Sequence, residues 1–408
     1  MKRREFLQLG AGAMVGGVML PAQLGAQTPA GRAGGAAQAP AAGAAAQKLK
    51  VDIYSRHLQW LRKPEEVADA AVEMAFDGVN ITVRAYPGHV NPENVAKELP
   101  PFVKAIRDRG LLVRQITTNI SDVDSPNAEA ILATASSLGI THFWWGTYRY
   151  EAGKPIFEQL DALRPRVAKI AAMAEKYKIT AAYHTYSMPN TVGSAMWDLL
   201  YLLKEHDPRY VGFHYDTGHE AHHINGLWEV NLKAAGPYVA AVAAKDYMPM
   251  QDIGLKGEGG PYQPPPAGAA PAPGGGGGGG RAGGGAPGAA GAAGAGGARG
   301  GGAPGGRAGG GPPAPGAPAA TLTGTWGTGN GWRTRTVPLG TGMVNLPQVA
   351  AILKEINFHG PLEIQAEYPN GGAENAQDKL TLPRIQVLAA MKRDLLTLRR
   401  GFAASGLL

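Results

Sequence analysis

The feature that most constrains the fold is an alternation of short apolar runs and longer amphipathic stretches, which continues from residue 48 to the end of the chain. The units recur at intervals of roughly 30 residues, which is typical of βα units in a parallel sheet. Eight runs predict strands, at residues 49–54, 78–83, 111–117, 140–145, 179–186, 211–216, 238–245 and 361–367. Intervening helices are predicted, among others, at residues 64–76, 93–109 and 383–399. This pattern predicts an α/β fold, a single (β/α)8 TIM barrel.

Two segments interrupt the alternation because they consist almost entirely of Gly, Ala and Pro. Such segments bury too little apolar surface to offset chain entropy, so we expect both to be disordered. The longer one lies between strand seven and helix seven; we interpret it as a neutral tether rather than a lid. The predicted organisation is a signal at residues 1–26, a linker at 27–47, strands one to seven at 48–262, the insert at 263–320, and strand eight with the closing helices at 321–408.

The charge distribution argues against a nucleic-acid partner. The formal net charge is +7, but most of it comes from the lysines and arginines of the signal, the linker and the insert. The barrel is therefore nearly neutral, whereas a nucleic-acid binder needs a basic face. The chain has no Cys, which excludes disulfides and thiolate metal ligands.

The N-terminal sequence predicts an export signal. A basic start is followed by a short apolar run at residues 9–20 and by small residues up to Ala26, which is the layout of a signal peptide rather than a membrane span. Arg3-Arg4 followed by Phe6-Leu7 resembles a twin-arginine signal, which implies export of a folded protein. A plain Sec signal or an uncleaved anchor is the alternative. We therefore expect a periplasmic or exported protein that meets the membrane only during export.

The densest group of reactive side chains is the segment V-G-F-H-Y-D-T-G-H at residues 211–219. Its first six residues alternate as in a strand, so His214 and Asp216 share one face. His219 follows Asp216 after the turn at Gly218. Barrel enzymes keep their chemistry at the C-terminal ends of the strands, so this segment predicts part of an active site.

Polar and aromatic residues also end the other predicted strands. They are Arg56, His57, Arg84, His89, Trp144, Trp145, His184, Lys245, Asp246, Gln365 and Glu367. Any one of them alone is more often a structural residue. Their convergence at one mouth of a barrel is what predicts a functional site.

Seven segments resemble the xylose-isomerase-like superfamily of sugar phosphate isomerases and epimerases. They are S-R-H-L-Q-W-L (55–61), D-G-V-N-I-T-V-R (77–84), A-Y-H-T-Y (182–186), H-Y-D-T-G-H (214–219), A-K-D (244–246), P-L-G-T-G-M-V-N (338–345) and G-P-L-E-I-Q-A-E-Y (360–368). The resemblance covers about residues 48–400 without the insert. The motifs are specific for the superfamily but not for a substrate.

The resemblance implies one divalent cation held by a Glu on strand five, an Asp on strand six, a His on strand seven and a Glu on strand eight. The two Glu residues also exchange a proton at the carbon next to a carbonyl. Asp216 and Glu367 match this pattern, and His219 matches a His that touches the substrate. His184 stands where the strand-five Glu is expected, and Ala243 where the strand-seven His is expected.

These matches and departures define the predicted site. The expected metal ligands are His184, Asp216 and Glu367, a nitrogen and oxygen set that suits Mn²⁺, Fe²⁺ or Zn²⁺. The expected catalytic residues are Glu367 and His184 as acid–base groups and Lys245 as an electrophile toward an enediolate oxygen. The expected substrate-binding residues are His219, His57, Arg84, Trp145 and Gln365. Trp145 could equally be an ordinary core aromatic.

The predicted function is an exported sugar or keto-sugar isomerase or epimerase that removes a proton next to a carbonyl. With a leaving group at the β-carbon the same step gives a lyase. One alternative is a non-catalytic sugar-binding barrel that has lost its metal. The other is a metal-dependent endonuclease of the same superfamily, which the nearly neutral barrel disfavours. The expected partner is a small sugar, and the oligomeric state stays open.

Overall fold

The eight predicted parallel strands form a closed barrel in the computed structural model, which describes residues 48–188, 190–223, 227–251, 332–367 and 377–408. The barrel strands are β1 (Val51–Tyr54), β2 (Gly78–Thr82), β3 (Gln115–Thr117), β4 (His142–Trp145), β5 (Thr180–His184), β6 (Val211–Asp216), β7 (Val239–Ala244) and, after the two-stranded ribbon described below, β10 (Leu362–Ile364). Neighbours pair in chain order, and β10 closes the ring between β7 and β1. The predicted TIM barrel is confirmed.

Helices connect the barrel strands and cover the outside of the sheet. They are α1 (Pro64–Met74), α2 (Val95–Arg107), α3 (Ala128–Ser137), α4 (Ile156–Tyr177), α5 (Trp197–Leu203), α6 (Thr217–His223), α7 (Leu227–Ala235), α8 (Leu346–Glu355) and α9 (Arg384–Phe402). One large apolar core lies between this layer and the strands. Within the described part of the chain, no helix is both long and apolar enough to cross a bilayer.

Helix α1 shows how the local sequence sets these boundaries. It begins at Pro64, whose fixed φ suits the first helical position, and it carries Glu65 and Glu66 in the first turn, where acidic groups favour the helix dipole. It ends before Ala75, which adopts a left-handed conformation with φ 67°. Its buried residues, Val67, Ala68, Ala70, Ala71 and Met74, pack into the core.

Strand β6 divides its side chains between the two sides of the barrel wall. Val211, Phe213 and Tyr215 pack into the outer core, so the alternate residues face the barrel interior. Gly212 is required here because a Cβ would lie 2.4 Å from the carbonyl oxygen of Tyr238.

The structure adds an antiparallel ribbon that the sequence did not predict. Strands β8 (Asp246–Gln251) and β9 (Trp332–Val337) pair from Asp246 with Val337 to Gln251 with Trp332. The predicted insert at 263–320 falls between them, and it lies outside the described residues, as do the predicted signal at 1–26 and nearly all of the linker at 27–47.

Candidate active site

Three buried side chains meet at the C-terminal mouth of the barrel. His184 ends β5, Asp216 ends β6, and His219 lies in the first turn of α6. One nitrogen from each imidazole and one carboxylate oxygen all lie within 4.8 Å of one another. Oδ2 of Asp216 is 3.5 Å from Nε2 of His184 and 3.8 Å from Nε2 of His219.

Backbone contacts hold Asp216 in this position. Its Oδ1 accepts hydrogen bonds from the backbone N–H groups of Gly218, at 2.9 Å, and His219, at 3.0 Å. Its own N–H donates to Oγ1 of Thr185 at 3.0 Å. The strand therefore turns directly into α6, and Oδ2 of Asp216 is left facing the site.

Lys245 brings a positive charge into the centre of this group. It follows β7 directly and is only 2% exposed. Its Nζ lies 3.0 Å from Oδ2 of Asp216, 3.1 Å from Nε2 of His219 and 3.4 Å from Oε2 of Glu367. Burial alone would lower the pKa of Lys245, but the carboxylates of Asp216 and Glu367 outweigh it and raise the pKa well above its ordinary value. The side chain is therefore an ammonium.

Glu367 is the carboxylate of the site that solvent reaches most easily, with 32% of its side chain exposed. Burial raises its pKa, but the charges of Lys245, His57 and His219 outweigh burial and bring the pKa below the ordinary value. Glu367 is therefore ionised at neutral pH. Glu367 was predicted to be a metal ligand, but the group of three potential ligands does not include it. The third member of that group is His219.

His184 is a neutral imidazole enclosed by aromatic rings. Burial, together with the charges of His214, His219 and Lys245, lowers the pKa of His184 well below its ordinary value. The ring of Trp144 stacks on it at 3.8 Å between centroids. A neutral His184 has a nitrogen lone pair that can accept a proton or ligate a cation.

The two neighbouring tryptophans have opposite roles in the structure. Trp145 is fully buried in the outer core, edge-on to Tyr183 and Tyr148, so the predicted contact of Trp145 with substrate does not fit its position. Trp144 is the ring that faces the site, since successive side chains of a strand point to opposite sides. The guanidinium of Arg84 lies 5.1 Å above the ring of Trp144 and donates to the carbonyl of Thr118.

A polar layer lies below the mouth, and most of it was not predicted. Glu363 of β10 accepts hydrogen bonds from Nδ2 of Asn80 at 2.5 Å and from Nε2 of Gln365 at 2.8 Å. Its Oε1 also faces Nε2 of His214 at 3.4 Å. The available signal was the alternation in L-E-I-Q-A-E at 362–367, which puts Glu363 on the same face as Gln365 and Glu367.

The remaining predicted residues lie around this centre. His57 is buried in the turn after β1, edge-on to Tyr54, and its charge acts on Glu367. Gln365 points to Glu363 in the polar layer. His89 is buried against Phe102 and contacts the carbonyl of Leu61, so it serves the outer core.

Asp246 has a structural role that its strand-end position does not reveal. Its Oδ2 accepts from the N–H groups of Gly340 and Gly342, and its Oδ1 accepts from those of Val344 and Tyr247, all at 2.9–3.0 Å. The carboxylate therefore fixes the loop that follows β9. It is not free to act on a substrate.

The donor atoms of His184, Asp216 and His219 fit a divalent cation in type and spacing. Two imidazoles and one carboxylate are a common set for Mn²⁺, Fe²⁺ or Zn²⁺. The three ligand atoms are already gathered within 4.8 Å. The Lys245 ammonium, however, contacts two of the same three atoms.

Comparison with known proteins supports the fold and the family. Residues 68–268 match the family model described as "Xylose isomerase-like TIM barrel". No curated protein sequence matches the chain. Among solved structures, D-psicose 3-epimerase with D-tagatose from Clostridium cellulolyticum H10 is similar, with 10% identity, a TM-score of 0.50, and coverage of 87% of this chain and 99% of the other.

Two further structures have a comparable likeness. A D-psicose 3-epimerase in the presence of D-fructose shares 11% identity at a TM-score of 0.51, covering 87% of this chain and 99% of the other. An IOLI protein with a bound zinc atom shares 11% identity at a TM-score of 0.50, covering 87% of this chain and 100% of the other. At such identities the likeness concerns the fold alone.

Proposed function

Because the protein is a xylose isomerase-like TIM barrel, we propose that it is an isomerase or epimerase of a free sugar or keto-sugar. The observation that carries this proposal is the contact between an ionised carboxylate and a buried ammonium at the barrel mouth. Oε2 of Glu367 lies 3.4 Å from Nζ of Lys245, and the neutral imidazole of His184 lies across Asp216 from them. A base next to an electrophile is what proton removal beside a carbonyl requires.

In the proposed reaction, Glu367 accepts the proton from the carbon next to the substrate carbonyl. The electron pair of the broken C–H bond forms the C=C bond of an enediolate, and the carbonyl oxygen gains negative charge. Lys245 stabilises that oxygen by hydrogen bonding, since its ammonium is buried and already in place. A divalent cation at His184, Asp216 and His219 would supply Lewis acidity toward the same oxygen only in place of the Lys245 ammonium, not beside it.

The product depends on where the proton returns. In an isomerisation, protonated Glu367 returns the proton to the neighbouring carbon. In an epimerisation, His184 takes a proton from solvent on Nε2 and delivers it to the opposite face of the same carbon, while Glu367 releases its proton to solvent. If the β-carbon carries a leaving group, the enediolate expels it and the reaction is an elimination. The substrate class follows from the site: Lys245 and Glu367 offer hydrogen-bond donors and acceptors at the barrel mouth, which suit a hydroxylated sugar.

Solvent hydrogen exchange tests this proposal directly. The full-length protein is incubated in D₂O with a panel of ketohexoses and keto-glycosides, and deuterium incorporation next to the carbonyl is followed by NMR. We expect incorporation with at least one sugar, lost in Glu367→Gln and retained in Glu355→Gln, which alters an exposed carboxylate of α8. Binding of a sugar without any exchange would instead identify a non-catalytic sugar-binding barrel.

We also propose that the protein acts after export, directed by residues 1–26. The interpretation of residues 1–26 as a twin-arginine signal depends on Arg3 and Arg4. Replacing both with Lys should retain the protein in the cytoplasm, as cell fractionation would show. Export that is unaffected by this change would favour a plain Sec signal.

A further inference from the structure

The ammonium of Lys245 occupies the centre of the only group of three potential metal ligands found among the described residues. Its Nζ contacts Oδ2 of Asp216 at 3.0 Å and Nε2 of His219 at 3.1 Å. These are the atoms that a divalent cation would need. An ammonium and a metal ion therefore compete for the same lone pairs.

The distances leave no room for both cations. Oδ2 of Asp216 and Nε2 of His219 are 3.8 Å apart. A metal ion bound at ~2.1 Å from each of them would lie within ~3.3 Å of Nζ, wherever around that axis it sits. Two positive charges that close, sharing the single carboxylate oxygen Oδ2 of Asp216, repel strongly in a buried site.

Several contacts hold the Lys245 side chain in this position. Its backbone N–H donates to Oγ1 of Thr217 at 3.0 Å, and this hydroxyl donates to the Lys245 carbonyl at 2.7 Å. Its stem runs against Gly218, where a Cβ would meet Cγ of Lys245 at 3.2 Å. These contacts fix the backbone and the start of the stem, and the ammonium itself is held by Asp216, His219 and Glu367.

Strand β7 contributes no replacement ligand at this level. Ala243 is in register with Asp216 on one side and with Glu363 on the other. Its methyl group has no donor atom, and it is fully buried. Lys245, the residue that follows β7, supplies the positive charge beside Asp216 and Glu367 instead.

We infer that the Lys245 ammonium is the resident cation of this site and excludes a divalent metal ion from His184, Asp216 and His219. The native protein then needs no metal, and a metal site appears only when the ammonium is removed. This inference concerns binding and does not rest on the proposed reaction.

Metal titration of matched variants tests the inference. Full-length wild type, Lys245→Met and Lys245→Arg are stripped with a chelator and titrated with Mn²⁺, Zn²⁺ and Co²⁺ in turn, by calorimetry and, for Co²⁺, by visible absorption. Lys245→Met keeps the stem and removes the charge, whereas Lys245→Arg keeps the charge. We expect Lys245→Met to gain one site and bind roughly 100-fold tighter than wild type, with Lys245→Arg remaining like wild type.

Two controls keep the result interpretable. Lys97→Met removes an exposed charge from α2 and should bind metal as wild type does. Asp216→Asn in the Lys245→Met background should abolish the gained site. If Lys245→Met does not fold, as judged by circular dichroism, Lys245→Gln replaces it.

Wild type that binds one equivalent of metal as tightly as Lys245→Met would overturn the inference. So would a folded Lys245→Met or Lys245→Gln protein that gains no site. Because no substrate is used, either result is independent of the sugar exchange experiment. A protein that catalyses exchange can fail this test, and one that passes it can lack the proposed activity.

Discussion

Nδ1 of His184 and Nδ1 of His214 face each other at 3.3 Å inside the barrel. Two imidazole nitrogens can share a hydrogen bond only if one carries the proton and the other does not. Glu363 favours a proton on Nε2 of His214, because its carboxylate lies 3.4 Å away, whereas the carboxylate of Asp216, 3.5 Å from Nε2 of His184, is already neutralised by Lys245. His214 then accepts from Nδ1 of His184, and Nε2 of His184 keeps its lone pair for the site.

Glu363→Gln should therefore disturb His184 without touching the substrate. The amide no longer imposes one tautomer on His214, and replacing a residue that orients a functional histidine typically costs about 10- to 100-fold in activity. The direct readout is the ¹⁵N chemical shifts of the two histidines, which report the tautomers. Unchanged ¹⁵N shifts in a folded Glu363→Gln protein would show that Glu363 does not set the tautomers of His214 and His184. Glu363→Asp should restore part of the wild-type chemical shifts.

The pH profile of the reaction should follow the charge of Glu367. Its pKa lies below the ordinary value of 4.5, chiefly because the positive charge of Lys245 overcomes the effect of burial. The acid limb of kcat/KM in wild type should therefore fall below pH 4.5. Lys245→Met removes that charge, so the limb should move upward in pH while activity drops by roughly 100-fold. A limb at the same pH in both proteins would rule out Glu367 as the base.

The two adjacent tryptophans offer a matched pair. Trp144→Leu removes the ring stacked on His184. It should raise KM or lower kcat by about tenfold or more, because the ring of Trp144 helps to hold His184 and the substrate in position. Trp145→Leu leaves a cavity in the outer core and should lower the free energy of unfolding by about 2–4 kcal/mol with KM unchanged. Kinetics and denaturant unfolding of both variants check the assignment, and it is wrong if Trp145→Leu carries the KM effect.

The barrel was predictable because strand and helix periods are local properties of the sequence. Asp216, His184 and Lys245 were found by their positions at strand ends, which fix their direction. Trp145 was assigned to substrate binding although Trp144 is the ring that faces the site, because a one-residue difference in phase exchanges the two faces of a strand. The ribbon from Asp246 escaped prediction because its partner strand begins only at Trp332, far along the chain.

Asp246→Asn should loosen the loop after β9. The carboxylate accepts two N–H groups on each oxygen, whereas an amide presents its own N–H₂ to one of these pairs. Leaving two partly buried donors unpaired should cost about 1–3 kcal/mol. Hydrogen–deuterium exchange should show faster exchange at Gly340, Gly342 and Val344 than in wild type. Unchanged protection there would mean that the loop is held by other contacts.

Asp394 of α9 should make stability depend on pH. It is buried, its Oδ1 accepts the N–H of Leu339, and burial raises its pKa to about 8. A raised pKa in the folded state means that stability present below pH 4 is lost as the pH rises through 8. This loss should reach a few kcal/mol, on the order of that expected for such a shift.

Asp394→Asn is the matched test, since its amide oxygen can still accept from Leu339 but does not titrate. Denaturant unfolding at pH 5 and pH 9 should show that the variant gains stability relative to wild type at the higher pH. A difference between the two proteins that does not change with pH would show that Asp394 stays protonated or stays charged throughout.

The ribbon of β8 and β9 places Gln251 directly opposite Trp332, so the chain leaves the barrel and returns to it at a single point. Whatever lies between these residues adds nothing to the path that the barrel must follow, and loop closure becomes only slowly costlier with length. The length of the segment between Gln251 and Trp332 therefore has little effect on the folding of the barrel. The site can keep its geometry while the intervening segment grows, shrinks or is exchanged between lineages, and a protein engineer could replace it with a two-residue turn.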